Sequence, residues 1–555
     1  MDYKKLADLL FPDIKVTADD YLKQAKRNLP QDADVTRTAP SPTGYLHIGT
    51  VYGAFIDKLI AKKSNGIFYM RLEDTDSKRE VKNVGTIAYD MLSYFGLKPD
   101  EGYTGDDREQ VGDYGSYIQS QRKDIYRAFA KKLVELGRGF PCFCEKAEGK
   151  EEILKRREQQ LEEEADITAK DPCRDLTLEE VEQNLKAGKP FAIRLLSKGS
   201  AENVIKFHDL IKGDREVREN EKDAVVLKSD GIPPYSLAHI VDDTLMQTTV
   251  VVRGEEWYPS LNVHLELFDA FGIKPPKYAH TPVICKIDDD GNKRKLSKRK
   301  DREADARYFV EQGYPVDSVM EYLLNLINSD FEDWRKQNPD TPYMDFPFDV
   351  SKIGSNNPMF DFVKLGDVSK NVISKFPAER IYDEALIWAK EFNVDFYNLI
   401  KDKKDFCLKI FSIDRTGDKP RKDISKWSDL PELFDYMFED FDKLTLDNFN
   451  FDEKVEKSDI VEILKAYKNT YNDADEKQVW FDKIKAICEP LGFTSDMKAY
   501  RKNPENYKGS VATVSGVIRV AITKKQMSPD LYEICKLLGN SEVAKRIDKV
   551  ISFLG

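Results

Sequence analysis

The chain has 555 residues, 41% hydrophobic and 34% charged, with a formal net charge of −12. That length supports several domains with ample cores, and no run reaches the ~18 uncharged apolar residues of a membrane span. An acidic total confines any nucleic-acid binding to focused basic surface.

The N-terminus, "MDYKKLADLLFPDIK", has neither a long apolar core nor a small-residue cleavage site, so no secretory signal is expected. Residues 1–34 read as a helical extension. A strand, "DVTR", follows, then the turn-rich "TAPSPTGYLHIGT". Ile48, Tyr52, Phe55, Ile56, Leu59 and Ile60 then recur at helical spacing, predicting a helix over 48–63. "GIFYMRLED" is a second, almost wholly apolar strand. Strand, helix and apolar strand predict parallel α/β structure. "IQSQRKDIYRAFAKKLVELG" predicts a helix closed by Gly137, and "EKAEGKEEILKRREQQLEEEA" a solvated charged segment. Strands return in "PFAIRLL", "NVIKFHDLI", "DAVVLKS" and "TTVVVRG", so one sheet collects strands from 35–75 and 222–285.

After about residue 350 the pattern is helical. Ile381, Ala385, Trp388, Ala389 and Phe392 make one helix face, and Ser528-Pro529 opens a helix that Gly539 stops. The seven cysteines are thinly spread, and most lie in apolar contexts such as Cys407 and Cys535. They point to reduced thiols in the cytoplasm.

The chemistry lies in two stretches. A helix N-terminus presents unpaired N–H groups and partial positive charge, which suits phosphate. Gly44 permits a tight turn, Gly49 lets a flat base approach the backbone, and His47 can donate to a phosphate oxygen. The second stretch, "KRKLSKRKD" at 293–301, follows "DDDGN", a turn that reads as mobile and exposed. Its lysines can clamp a phosphate under transfer. Either stretch alone reads as well as an ordinary loop. The two in this order, flanking α/β structure, are specific.

"HIGT" and "KLSKR" resemble the HIGH and KMSKS signatures of class I aminoacyl-tRNA synthetases. "RTAPSPTGYLHIGT", "RLEDTD", "YIQSQRKDIYRAFAKKL", "GIPPYSLAHIVDD", "VVRGEEW" and "KLSKRKD", in that order, resemble the bacterial-type glutamyl-tRNA synthetase family, as does "IRVAITKKQMSPDLYEICKLLG" near the end. The resemblance covers most of 35–330 and the last fifty or so residues. It is vague over 375–500 and absent over 1–34.

The resemblance implies a class I Rossmann-like α/β catalytic domain split by an insertion for the tRNA acceptor end, followed by an all-α anticodon-binding region. The expected parts are a helical extension (1–34), the first catalytic half (35–105), the insertion (106–220), the second half (221–290), the KMSKS-type loop with a helical linker (291–370) and the anticodon-binding region (371–555). The implied reaction is glutamate activation by ATP with Mg²⁺, then transfer to tRNA(Glu), by a cytoplasmic monomer that does not touch membrane. It implies catalytic roles for His47, Lys295 and Lys298. Arg37, Tyr235 and Arg253 would face the carboxylates of glutamate, Glu73 its ammonium, with Ala39, Ser41 and His239 around them. Thr43, Gly44, His47, Gly49, Glu256, Ile284, Lys295, Ser297 and Lys298 would hold ATP.

Two positions depart from the family pattern. His239 stands where asparagine is usual. Cys142, Cys144 and Cys173 match a zinc site of some members, with Asp175 where a histidine is usual, so unligated thiols are expected and zinc is the alternative. The rival activities are a glutaminyl-tRNA ligase, which would carry C-terminal β-barrels, a nucleotidyltransferase, which would need no insertion or helical tail, and a non-catalytic tRNA-binding paralogue, against which His47, Lys298 and Arg253 argue.

Overall fold

The computed structural model describes residues 1–42, 44–75, 83–144, 172–415, 417 and 419–555. The charged segment 145–165 lies outside them. The chain divides into two units, Met1–Tyr308 with Met320–Asp361, and Phe309–Val319 with Phe362–Gly555.

In the first unit, β1 (Val35–Thr38) is wholly buried and pairs in parallel with β2 (Ile67–Met70), which pairs with β3 (Glu101–Gly102). The helix Ile48–Lys63 connects β1 to β2 and buries Ile48, Val51, Phe55 and Ile56 completely. Each such side chain contributes ~1.5–3 kcal/mol to folding. β4 (Gly139–Cys142), β5 (Ala192–Leu195) and β8 (Val225–Leu227) form a separate antiparallel sheet.

β9 (Val250–Gly254) pairs in parallel with β10 (Lys277–Thr281), and the helix Leu261–Phe271 joins them. The Thr249 amide donates to the Val35 carbonyl at 2.9 Å, setting β9 beside β1. Connections therefore leave β1 towards β2 and β9 towards β10, on opposite sides. That reversal opens a crevice at the carboxyl ends of β1 and β9, the usual ligand position in open α/β sheets.

The segment 106–220, read as one insertion, does not stay apart from this sheet. β6 (Val204–Asp209) pairs in parallel with β10, and β7 (Gly213–Arg218) folds back on β6. The extension 1–34 is helical at Tyr3–Leu10 and Ala18–Gln24. Leu6, Leu10 and Phe11 share a buried cluster with Tyr126, Phe129 and Leu133 of the helix Lys123–Glu135, and Asp13 takes two 2.7 Å bonds from Arg127. The extension is thus part of the core.

The described residues of the second unit are helical, with no named strand. The helix Ala378–Phe392 buries Ile381, Ala385, Trp388 and Ala389, but Phe392 is exposed, a correction to the sequence reading. Asp530, not Ser528, caps the helix that begins at Leu531, by accepting the Glu533 amide. Ser528 instead accepts from Arg519. Gly539, at φ +77°, interrupts that helix as expected. Among the described residues no helix is long and apolar enough to cross a membrane.

Candidate active site

His47 is the N-cap of Ile48–Lys63. Its Nδ1 accepts the Gly49 amide at 2.8 Å, so the proton sits on Nε2, 3.3 Å from the Leu296 carbonyl. A Cβ on residue 49 would lie 2.9 Å from His47 Nδ1, so this cap requires glycine there. The two signature stretches therefore meet through one imidazole. Burial, then the charges of Lys298 and Lys295, lowers the His47 pKa, leaving the ring neutral near pH 7.

The lysine-rich loop is held more firmly than an exposed loop. β11 (Cys285–Ile287) and β12 (Lys293–Lys295) form its hairpin, and Leu296 is buried. Asp301 takes two 2.6 Å bonds from Arg294 and one of 2.9 Å from the Ser297 amide. Lys295 pairs with Glu256 at 3.0 Å across the cavity mouth, half exposed and therefore weak.

A cavity of about 410 Å³ opens at the carboxyl ends of β1, β9 and β10. Arg37, Ala39 and Ser41 line it from β1 and the turn after it. His47 and Gly49 line it from the helix start, and Glu73 from the loop after β2. Tyr235, Arg253, Glu256, Ile284 and Lys295 complete the expected part of the wall. Gly44 and Lys298 line an adjoining cavity of about 200 Å³ that shares Pro40, Ser41, His47 and Thr50 with the first. Ser297 lines neither cavity. Thr43 lies outside the described residues.

His239 lines neither cavity, a correction to its expected contact with the amino acid. It lies fully buried behind Tyr235, stacked on that ring at 5.3 Å, with Nδ1 2.6 Å from Asp243. Burial pushes its pKa down to about 4. The ring thus supports Tyr235 as a neutral spacer.

The floor holds charges that motif reading missed. Arg71 is fully buried and donates to Asp243 at 2.6 Å and to Glu73 at 2.9 Å. Arg37 donates to Asp243 at 3.3 Å and to the Val252 carbonyl at 3.2 Å. Burial opposes ionisation of Asp243, but Arg71 and Arg37 hold its carboxyl well below the usual range. Glu73 shifts the other way, because burial outweighs its arginine neighbours. A ligand ammonium would favour its charged form. A visible signal existed: an arginine ends the apolar run "GIFYMR", and two aspartates end "AHIVDD". Asp57 and Tyr52 also line the cavity from the helix Ile48–Lys63, and Asp57 Oδ1 and the Tyr52 hydroxyl are buried without hydrogen-bond partners among the described residues.

Away from the cavity, the sulfurs of Cys142, Cys144 and Cys173 lie within 4.8 Å of one another. Asp175, the expected fourth ligand, is not in the group. Burial pushes the Cys173 thiol up to about 12. Three soft donors fit zinc in part, and a tetrahedral site needs one more.

Residues 34–333 match the family described as tRNA synthetases class I (E and Q), catalytic domain, and residues 412–551 match the anticodon binding domain. The chain is 44% identical to the glutamate–tRNA ligase of Clostridium perfringens strain SM101, over all of both chains. It is also 44% identical to that of Acetivibrio thermocellus, over 99% of this chain and 100% of that one. The first alignment includes residues 1–34, where the sequence reading found no resemblance. A crystal structure of an Elizabethkingia meningosepticum glutamate tRNA ligase in complex with its amino acid shares the fold, with a TM-score of 0.72 over 95% of this chain and 100% of that chain, at 24% identity. A switch-point crevice in which the two signature loops meet, a helical second unit and full-length similarity agree: the chain belongs to the glutamate–tRNA ligase family of class I tRNA synthetases.

Proposed function

We propose that this cavity activates L-glutamate with MgATP and passes the glutamyl group to tRNA(Glu). The glutamate α-carboxylate attacks the α-phosphorus of ATP, forming glutamyl-adenylate and releasing pyrophosphate. The 2′-hydroxyl of the terminal adenosine then attacks the acyl carbon, its proton is lost, and AMP leaves. No protein nucleophile is needed, so catalysis is positioning plus stabilisation of developing negative charge.

The adenylate lies over the helix start, with the base near Gly49 and the Ile284 backbone. His47 Nε2–H exchanges the Leu296 carbonyl for a phosphate oxygen. Lys295 and Lys298 approach the phosphates from the hairpin loop. Glu73 takes the ammonium, and Arg37, Tyr235 and Arg253 hold the carboxylates. A reaction drawing on ATP and tRNA supports a cytoplasmic setting. The cysteine trio takes no part in either step.

The observation that carries this reading is the 3.3 Å approach of His47 to the Leu296 carbonyl, which brings both signatures to one cavity. Aminoacylation of purified tRNA(Glu) and tRNA(Gln), each with glutamate and with glutamine, tests it. Glutamyl-tRNA(Glu) is the expected product. Charging with glutamine alone would overturn the reading.

A further inference from the structure

The chain has five histidines, and His239, His264 and His280 are fully buried behind the cavity wall. Two of these hold one guanidinium. Arg253 donates from Nε to His280 Nε2 at 3.0 Å and from Nη1 to His264 Nδ1 at 3.2 Å. His280 is itself fixed, because its Nδ1 lies 2.6 Å from Asp209 Oδ2. Asp209 is on β6, His280 on β10 and Arg253 on β9, so the chain of contacts crosses adjacent strands.

The partners set the tautomers. His280 donates from Nδ1 to the carboxylate, which leaves the Nε2 lone pair for Arg253. His264 accepts at Nδ1 and carries its proton on Nε2. Burial is the main cause that lowers the pKa of each ring, and the Arg253 charge adds to it. Both rings therefore stay neutral around pH 7.

The consequence is electrostatic. Arg37 and Arg71 each sit against a carboxylate. The Arg253 guanidinium instead contacts two neutral imidazoles and the face of Tyr278, 4.7 Å from its ring centroid. Its Nη2 is buried and makes no hydrogen bond among the described residues, although Arg253 lines the cavity. A neutral acceptor orients a guanidinium without cancelling its charge, whereas a carboxylate does both.

We propose that His280, held by Asp209, and His264 are positioning residues that lock Arg253 at the cavity wall with its charge uncompensated, ready for the side-chain carboxylate of glutamate. This rests on the assignment of Arg253 to glutamate above. It makes the two imidazoles determinants of the choice between glutamate and glutamine, because a displaced guanidinium loses the charge-assisted bond that only the acid can make.

The test is steady-state aminoacylation of tRNA(Glu), measuring KM for glutamate and for ATP separately. His280→Leu is expected to raise KM for glutamate ~10–100-fold, the cost of an unpaired buried donor, and to leave KM for ATP within about two-fold. His280→Gln places an amide oxygen near the position of Nε2 and is expected to recover most of the loss. In an Arg253→Gln background, His280→Leu is expected to add nothing further, since its effect passes through Arg253. If Arg253→Gln alone leaves KM for glutamate unchanged, the assignment of Arg253 itself fails. If Arg253→Gln raises it but His280→Leu does not, or if the two effects multiply in the double variant, the positioning role is overturned. Should His280→Leu fail to fold, His264→Leu is read by the same criteria.

Discussion

Asp243 is the hub beneath the cavity, and Asp243→Asn isolates its charge with little change of shape. The carboxylate faces Arg71 at 2.6 Å, Arg37 at 3.3 Å and His239 at 2.6 Å, all buried. Arg71 keeps Glu73 at 2.9 Å and Asp242 at 3.6 Å after the change, but among the described residues Arg37 makes no other ion pair, although the Asp57 carboxyl is near enough to act on it. Removing one member of a buried pair costs ~3–5 kcal/mol, since the other charge remains desolvated. Unfolding entropy scales as ~2.1 cal/mol/K per residue, or about 0.7 kcal/mol/K for the first unit of roughly 350 residues. The expected fall in its melting temperature is thus about 4–7 °C, read by differential scanning calorimetry. The pH dependence has a definite sign. The folded-state pKa of Asp243 is depressed, so its contribution is present above the unfolded value near 4 and is lost as pH falls through the folded value. The acid limb of the stability curve should therefore flatten in the variant. A melting-temperature shift under about 1 °C, with the wild-type acid limb retained, would show that Asp243 is not the charge that pairs these arginines.

Three further outcomes are expected. Lys298→Ala should lower aminoacylation ~10²–10³-fold without changing the melting temperature, the scale of losing one donor to developing negative charge; near-normal activity would remove Lys298 from the reaction. Affinity for tRNA(Glu) should fall steeply with salt, because an acidic chain must hold RNA through local clusters of lysine and arginine, and glutamate-dependent pyrophosphate exchange should require tRNA; a flat salt profile or rapid exchange without tRNA would contradict these in turn. Protein purified without added metal should hold well under one zinc per chain, since the described residues supply three sulfurs and no fourth ligand; equimolar zinc lost on Cys142→Ser would reverse that expectation.

Local periodicity found part of the parallel core, because β1, β2 and β9 are buried on both faces, but it gave no strand at β3 or β10 and put "DAVVLKS" in the same sheet, whereas β8 joins β4 and β5 in the antiparallel one. The helix Ile48–Lys63 and the strands β2 and β9 stand where the spacing put them. The β6–β7 hairpin was harder to assign. Its alternating pattern, with Val204 and most of β7 exposed, reads as an edge hairpin of any sheet, and only the pairing of Asp209 with Tyr278 attaches it to β10. The cap at Ser528 was misread for a similar reason, since Ser528 and Asp530 are both good N-caps and the competing bond from Arg519 is not local. In the site, His47, Gly49, Lys295 and Lys298 of the signature motifs line the two cavities, and Ser297 does not. Arg71, Asp242 and Asp243 did not stand out, because a charge inside an apolar run signals burial but not what it pairs with. His239 was placed one layer too near the ligand: sequence spacing puts it one helical turn beyond Tyr235, and only the structure shows that Tyr235 covers it.

The difference between the arginines follows from the same layering. Arg37 and Arg71 sit over Asp243, at the end of a helix whose last turns are buried. Their carboxylate partners make them affordable inside the protein, and the same partners reduce the charge they can offer a ligand. Arg253 ends β9 against strands and a helix that supply imidazoles in place of acids. Imidazole can occupy that interior because burial keeps it neutral, and a neutral ring still has one nitrogen that accepts and one that donates. A glutamine amide would meet in Arg253 a donor facing its own NH₂ donor or, turned over, would offer a carbonyl with no formal charge. Glutamate offers two acceptor oxygens and the missing negative charge. Glutamate and glutamine are nearly isosteric, so a cavity of about 410 Å³ cannot separate them by shape; with Arg253 on the side-chain carboxylate, as proposed, discrimination would fall on the guanidinium whose charge the protein has not already neutralised.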